Sequence, residues 1–269
     1  MDWWISSRCN LACDYCYGPE PANDPGWLRD EILAAIRASS AQAVTFCGGE
    51  PLLVRDVGKY ARQLRDADKV TILNTNGLLL RRRVAQGLDF AFDIVGLSLD
   101  GSRAEVHQAM RGARADFDEL IRAASFVRDQ SGTGLKLATV VSSVNRDDLP
   151  SLAALVRTLR PDVWRLYQYS ARGAVNVGQD RHTLSEDDFS SLAAAAASLA
   201  APVPTAPSPE SVTAGCLIID PQGNVLQPLS ERYQRLGNCL EQPLDLIWAQ
   251  ATFASTVIQN KRWLSRLPL

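Results

Sequence analysis

The chain has 269 residues, 46% of them hydrophobic, with 28 Lys+Arg against 30 Asp+Glu. That is enough apolar material for a full core, and the near-balanced charge, without long runs, lacks the electrostatic footprint of a nucleic-acid binder. The start MDWWIS has no basic n-region, and no stretch reaches the roughly 18 apolar residues of a membrane span. The expectation is a cytoplasmic protein with neither nucleic acid nor membrane as partner, whose six cysteines are reduced thiols and metal ligands rather than disulfides.

In chain order, Met1 to Ser6 reads as a short strand, followed to about Pro25 by a loop in which Gly18, Pro19, Pro21 and Pro25 exclude regular structure. Apolar residues at helical spacing from Trp27 to Ile36 predict a helix. Ala43 to Cys47 then predicts a buried strand ending at Gly48-Gly49-Glu50-Pro51. The alternation repeats with helix Val54 to Arg65, strand Val70 to Leu73, helix Leu79 to Gln86 and strand Ile94 to Leu99. Helix Phe117 to Asp129, strand Leu135 to Val141, helix Leu149 to Leu159, strand Val163 to Tyr169 and a helix over Leu192 to Leu199 complete it. Such alternation implies right-handed crossovers and a parallel α/β sheet, either a partial barrel or an open doubly wound sheet.

Residues 201–211, APVPTAPSPES, predict an extended Pro-rich linker that ends a main domain of residues 1–200. Beyond it, in residues 212–269, Pro221-Gln222-Gly223 between two apolar runs predicts a hairpin, and Leu244 to Leu264 a last helix.

Three cysteines fall within eight residues as Cys9-x3-Cys13-x2-Cys16. A loop of that spacing can turn three thiolates toward one point. Structural zinc sites close with four ligands, and neither His107 nor His182 lies nearby in sequence, so an iron-sulfur cluster with one open iron suits the loop better. The polar and glycine-rich segments Gly48 to Pro51, Asn74 to Gly77, Ser98 to Gly101 and Tyr167 to Ser170 all sit at strand C-terminal ends, where α/β folds build their sites. Cys47 reads as a core residue, and His107 and His182 as ordinary polar residues, with His107 in a loop-like segment.

At these motifs the chain resembles the radical S-adenosylmethionine (radical SAM) superfamily, from the first strand to about Tyr169. The triple-cysteine loop with Tyr15 before the third cysteine, the Gly48-Gly49-Glu50-Pro51 turn and the Ser98-Leu99-Asp100-Gly101 strand end carry the likeness. The resemblance implies a partial (β/α)6 TIM barrel with a small C-terminal hairpin-plus-helix extension. It implies that Cys9, Cys13 and Cys16 hold one 4Fe-4S cluster whose open iron chelates S-adenosylmethionine, and that catalysis runs through that cluster. Cofactor contacts are expected from Gly48, Gly49, Glu50 and Asn76, from Ser98 and Asp100 to the ribose, and from Tyr15 and Val141 to the adenine. Arg111 is expected to pair with the methionine carboxylate. The sixth strand, Trp164 to Tyr169, is similar to viperin-like and natural-product members, which places Tyr167, Tyr169 and Arg172 near the substrate.

The tail, with Cys216, Pro221-Gln222-Gly223-Asn224-Val225 and Leu236-Gly237-Asn238, is similar to the SPASM or twitch extension of such enzymes. Leu229 stands where that extension has a cysteine, leaving Cys216 and Cys239, too few for an all-cysteine auxiliary cluster. The expectation is therefore a degenerate extension that caps the mouth; the competing reading completes a second cluster with Cys47 or a non-cysteine ligand.

The implied function is reductive cleavage of S-adenosylmethionine to a 5'-deoxyadenosyl radical that takes a hydrogen atom from a small polar natural-product intermediate such as a sugar or nucleoside. An external one-electron reductant such as flavodoxin or ferredoxin is the implied partner. Two alternatives stay open: a maturase of ribosomally made peptides, and a non-catalytic iron-sulfur electron carrier or redox sensor. Substrate, bond changed and oligomeric state are not legible.

Overall fold

The computed structural model describes residues 1–18, 24–171, 180–208, 216–229 and 232–252. The strands β1 (Asp2–Ser6), β2 (Ala43–Gly48), β3 (Val70–Thr75), β4 (Ile94–Ser98), β5 (Gly134–Val141), β6 (Val163–Gln168) and β7 (Thr205–Ser208) pair in parallel and in chain order. A doubly wound sheet reverses its strand order at a switch point within the wound strands, whereas β1 to β7 run in unbroken chain order. The arrangement is the partial barrel.

The helices α1 (Arg29–Ala38), α2 (Val57–Arg65), α3 (Leu80–Ala85), α4 (Ala104–Arg111), α5 (Phe117–Arg128), α6 (Leu149–Leu159) and α7 (Glu186–Ala200) supply the outer layer. Strand alternation explains the core. Trp3, Ile5, Val44, Phe46, Leu73, Val95, Leu97, Leu137, Trp164 and Leu166 join helix residues such as Ile32, Ile36 and Leu152 in one cluster. Their neighbours Trp4 and Cys47 point to the other face, where they meet Ile218 in a separate cluster.

Several elements differ from expectation. The first helix begins at Arg29, and Trp27 lies in a 3-10 turn, 74% exposed. Ser185 caps α7 by accepting from Asp188 N at 3.0 Å, which extends that helix back to Glu186. The segment around His107, expected as a loop, is helix α4; it ends at Gly112, which takes φ +86°. One amphipathic stretch of eight residues is too short for periodicity to separate from a loop.

The Pro-rich stretch is not only a linker. Its residues Thr205–Ser208 form β7 at the sheet edge, pairing Trp164 with Thr205 through to Tyr167 with Ser208, while Val203 packs in the core. An edge strand tolerates Pro207 because its missing N–H faces no further strand. Residues 209–211 lie outside the described residues.

At the opposite edge β8 (Ile218–Ile219) runs parallel to β1, and β9 (Asn224–Pro228) and β10 (Tyr233–Asn238) follow antiparallel. The predicted hairpin turn is present: Gly223 N donates to Asp220 O at 3.0 Å, and Asp220 Oδ1 accepts from Gln222 N and Asn224 N. The last described helix, α8, covers only Leu244–Trp248; the remainder of the span expected to reach Leu264 lies mostly outside the described residues. Asp245 on α8 accepts from Ser40 N at 3.0 Å and so pins the tail to the end of α1. Among the described residues no helix is long and apolar enough to cross a membrane.

Candidate functional site

The loop after β1 crosses the C-terminal ends of the strands. Cys16 N donates to Cys13 O, Leu11 N to Cys9 Sγ at 3.4 Å and Gly18 N to Cys16 Sγ at 3.4 Å. All three thiols line one cavity of about 390 Å³ that runs down the barrel interior. Gly48, Gly49, Glu50, Asn76, Ser98, Arg111, Tyr15, Tyr167 and Tyr169 line it too, so most of the expected site residues are brought together.

Close packing at the turn after β2 explains its glycines. A Cβ on Gly49 would lie 2.1 Å from Arg8 O, and one on Gly18 would lie 3.2 Å from Cys16 Sγ and 3.1 Å from Gly48 O. Gly48 itself takes φ +110°. The cysteine loop thus rests directly on the backbone of this turn.

Glu50 is almost fully buried. Its Oε1 accepts from Leu52 N at 3.0 Å and Thr75 Oγ1 at 2.7 Å, and its Oε2 from Asn76 N at 2.9 Å. Burial raises its pKa, and these donors together with Arg111 recover part of the rise. Asn76 in turn donates to Asn10 Oδ1 at 2.7 Å, tying the end of β3 to the cysteine loop.

Asp100 is fully buried and is not on the cavity wall. Its Oδ2 accepts from Tyr15 O–H and Arg111 Nε, each at 2.5 Å, and its Oδ1 from Val140 N at 2.8 Å. Here the Asp100 carboxylate accepts from three protein donors and ties Tyr15, Arg111 and Val140 N together, while the cavity wall beside it carries Ser98. Burial alone would lower the pKa of Arg111, but Asp100, Tyr15 and Cys13 raise it further, so it stays a cation at the mouth. Its guanidinium also lies 5.7 Å from the Tyr15 ring centroid. The Cys13 thiol is pushed up to about 11, chiefly by burial, with Arg111 opposing; binding iron there means releasing a proton.

Val141 is a correction. It is fully buried in the core between sheet and helices, whereas Val140 lines the cavity. Alternate residues of a strand face opposite sides, so Val140 and not Val141 is turned to the cavity. Arg172 lies outside the described residues.

Sequence reasoning also undervalued several residues. His182 is buried, with Nε2 3.0 Å from Asp14 Oδ1 and Nδ1 3.3 Å from Ser142 Oγ, and its ring sits 5.2 Å from Tyr169 and 5.7 Å from Tyr15. Burial and Arg181 lower its pKa, and Arg181 Nε donates to the same Nε2 at 3.2 Å. His107 on α4 accepts from Asp100 N through Nδ1, and burial lowers it to about 4. Lys136 and Arg165 reach the cavity from the middle of β5 and β6. A cation at an inward position of an otherwise apolar strand was the available signal.

In the tail, Cys216 faces the cavity, as does Cys47, whose pKa burial raises with Asp2 and Cys216 adding. Cys239 instead packs in the core, where a Cβ on Gly223 would stand 3.3 Å from its sulfur. Cys216 and Cys239 thus belong to different environments.

The donor chemistry suits an iron-sulfur cluster: three thiols line one cavity, near enough for Cys9 and Cys16 to raise the pKa of Cys13, beside a buried carboxylate and the Arg111 guanidinium. The profile of the radical SAM superfamily matches residues 5–156. Fe-coproporphyrin III synthase of Methanosarcina barkeri is 28% identical over 66% of this chain and 46% of its own length. Pre-heme d1 synthase of Dinoroseobacter shibae is 32% identical over 66% and 46%, and mycofactocin maturase MftC of Mycolicibacterium smegmatis 31% over 69% and 48%. The chain therefore spans about half the length of these curated relatives. Among solved structures, Streptococcus suis SuiB bound to S-adenosylmethionine superimposes with TM-score 0.72 at 17% identity, covering 97% of this chain and 67% of that one. The structure of anSMEcpe with bound AdoMet gives 0.69 at 19%, covering 97% and 82%. The fold of these structures, the strand-end site and the matched profile agree: this chain belongs to the radical SAM superfamily, whose members work with a 4Fe-4S cluster and S-adenosylmethionine.

Proposed function

We propose that this chain cleaves S-adenosylmethionine reductively and abstracts a hydrogen atom from a small polar molecule held in the barrel interior. The observation that carries the reading is the shared cavity: Cys9, Cys13, Cys16, Glu50, Asn76 and Arg111 line its mouth, and the same space continues down between the strands. When bound, the cluster supplies the electron that splits the sulfonium and so the 5'-deoxyadenosyl radical.

The remaining work belongs to this chain. Cys9, Cys13 and Cys16 would hold the cluster as thiolates. Glu50, whose Oε2 takes one protein donor among the described residues, can accept from the amino group of the methionine moiety, and Arg111 can pair with its carboxylate. Asp100 locks Arg111 and Tyr15 in place, which keeps the mouth rigid while a reactive species forms. Ser98 offers a hydroxyl to the ribose, and Val140, rather than its neighbour Val141, offers an apolar surface to the adenine. The buried walls exclude water that would quench a radical. Tyr167 and Tyr169 lie on the wall nearest the proposed substrate space.

A second reading, peptide maturation, draws on the likeness to mycofactocin maturase MftC and to SuiB, which has been solved with its precursor peptide SuiA. An external one-electron donor such as flavodoxin or ferredoxin, and a cytoplasmic setting, complete the proposal.

Anaerobic incubation of the reconstituted protein with S-adenosylmethionine and dithionite tests it. The expected result is 5'-deoxyadenosine, abolished by Cys9→Ala, Cys13→Ala or Cys16→Ala. A fully clustered protein that makes none overturns both enzymatic readings in favour of an electron carrier. Iron analysis should give about four irons per chain, since a single cluster is proposed; about eight would assign the tail a second one.

A further inference from the structure

The cavity descends well below the mouth, and its lower wall is built in layers that the register defines. Ile72 pairs with Ile94 near the bottom, and the two form an apolar cluster with Val70. Two residues higher on the same faces, Asn74 pairs with Gly96 and Gly96 with Lys136. Above that, Ser98 pairs with Ala138 and Ala138 with Arg165; higher still, Val140 pairs with Tyr167 and Tyr167 with Ser208. Two cations thus occupy successive layers of a closed interior, Lys136 at 3% and Arg165 at 8% exposure.

Small residues make room for them. A Cβ on Gly96 would stand 2.4 Å from both Asn74 Oδ1 and Lys136 Cε, and 3.1 Å from Lys136 Nζ. The absent side chain is what lets the lysine lie across β4 toward the Asn74 amide, whose buried Oδ1 has no partner among the described residues. Arg165 donates through Nη2 to Ser208 Oγ, and its guanidinium carbon lies 5.2 Å from the Tyr167 ring centroid. Asp2 is the acidic side chain on this lower wall among the described residues. Even so the local field is positive. Burial raises the Tyr167 pKa and Asp2 adds to the rise, yet Arg165 and Lys136 together turn the net shift downward.

Burying an ammonium and a guanidinium carries a large desolvation cost, and an apolar pair would fold more readily. We propose that the lower barrel interior is a recess for an acidic group of the substrate, a carboxylate or a phosphate, which seats between Lys136 and Arg165 with the Asn74 amide and Ser208 hydroxyl beside it. This rests on the reading of the cavity as a radical SAM substrate site and adds the substrate class: an anionic molecule, oriented with its acid group down and its reacting carbon toward the mouth. Lys136 provides a point charge and Arg165 a planar fork, a combination suited to tetrahedral or planar oxyanions alike.

The test uses the reconstituted 269-residue chain without S-adenosylmethionine, titrated with inorganic phosphate and, separately, acetate, against sodium chloride of equal ionic strength. Thermal unfolding reports binding. The expected result is a saturating rise in midpoint for the wild type, with the anion at least about tenfold weaker in Lys136→Met and Arg165→Met. The anion that saturates at lower concentration identifies phosphate or carboxylate as the preferred group. Arg165→Lys, which keeps the charge, should retain much of the rise, whereas Gly96→Ala, which alters no charge but displaces Lys136, should weaken it. Arg165→Lys guards against a loss that reflects misfolding. No saturating rise in the wild type, or the same rise in all variants, overturns the proposal. So does an equal loss of S-adenosylmethionine affinity in Lys136→Met and Arg165→Met, because the cations would then serve the cofactor's carboxylate. Formation of 5'-deoxyadenosine is measured apart from all of this, so failure of the recess and failure of the radical SAM reading give different results.

Discussion

Arg111 Nε donates to Asp100 Oδ2 at 2.5 Å, with the carboxylate fully buried and the guanidinium side chain 12% exposed. The two residues come from the end of α4 and the end of β4, and neither position in sequence announces the other. Their pairing places a buried counterion directly beneath the cation at the mouth.

Removing that support should be costly. Asp100→Ala leaves Arg111 without its buried counterion and Tyr15 and Val140 N without an acceptor, a loss of about 3–5 kcal/mol in unfolding free energy by denaturant titration. Asp100→Asn, which keeps shape and some hydrogen bonding, should lose less stability while weakening S-adenosylmethionine binding through a misplaced Arg111. If Asp100 instead contacts ribose and supports nothing, Asp100→Ala will weaken the cofactor and leave stability within about 0.5 kcal/mol.

His107 gives the fold a pH dependence of definite sign. Burial lowers it to about 4, against an ordinary value near 6.5, so the native state binds fewer protons than the unfolded state between those limits. Its contribution is fully present above pH 6.5 and is lost as pH falls through the folded value, amounting to up to about 3 kcal/mol. The difference in stability between wild type and His107→Phe should therefore shrink or reverse on going from pH 7 to pH 4.5. A constant difference over that range would show that His107 does not titrate with unfolding.

The contact between Gly49 and Arg8 O predicts a specific lesion. Gly49→Ala forces a methyl group to within 2.1 Å of a backbone oxygen unless the cysteine loop shifts. Expected are a stability loss of about 1–3 kcal/mol and reduced iron retention after reconstitution. Gly87→Ala, at a position with nothing within 4 Å but with φ +87°, should strain the backbone and leave iron content unaltered.

Val140 and Val141 form a matched pair for testing the strand register. Val141→Ala opens the core and should cost about 1–3 kcal/mol of stability. Val140→Ala removes cavity wall, should cost less, and should raise the dissociation constant for S-adenosylmethionine. The reverse pattern would mean that β5 faces the other way.

The alternation of apolar runs with amphipathic stretches, the Cys-x3-Cys-x2-Cys spacing and the glycine turn after β2 were legible from the chain alone. They are local: each depends on residues a few positions apart, and period-2 and period-3.6 patterning report them directly. Helix α4 and strand β7 were not, since the first is short and the second is Pro-rich, and both owe their conformation to the neighbours they pack or pair with.

The sequence by itself determined that a metal loop and several polar strand ends share one edge of a parallel α/β sheet. Only the tertiary structure decided which residues meet there. Strand order ruled out the doubly wound alternative, and the register put Val140 inside and Val141 outside. Asp100 was drawn to Arg111 and Tyr15, while Lys136 and Arg165 were stacked in one closed interior with Asn74. Those decisions rest on contacts between strands and helices distant in sequence, where burial and hydrogen-bond saturation, not local propensity, choose the partner.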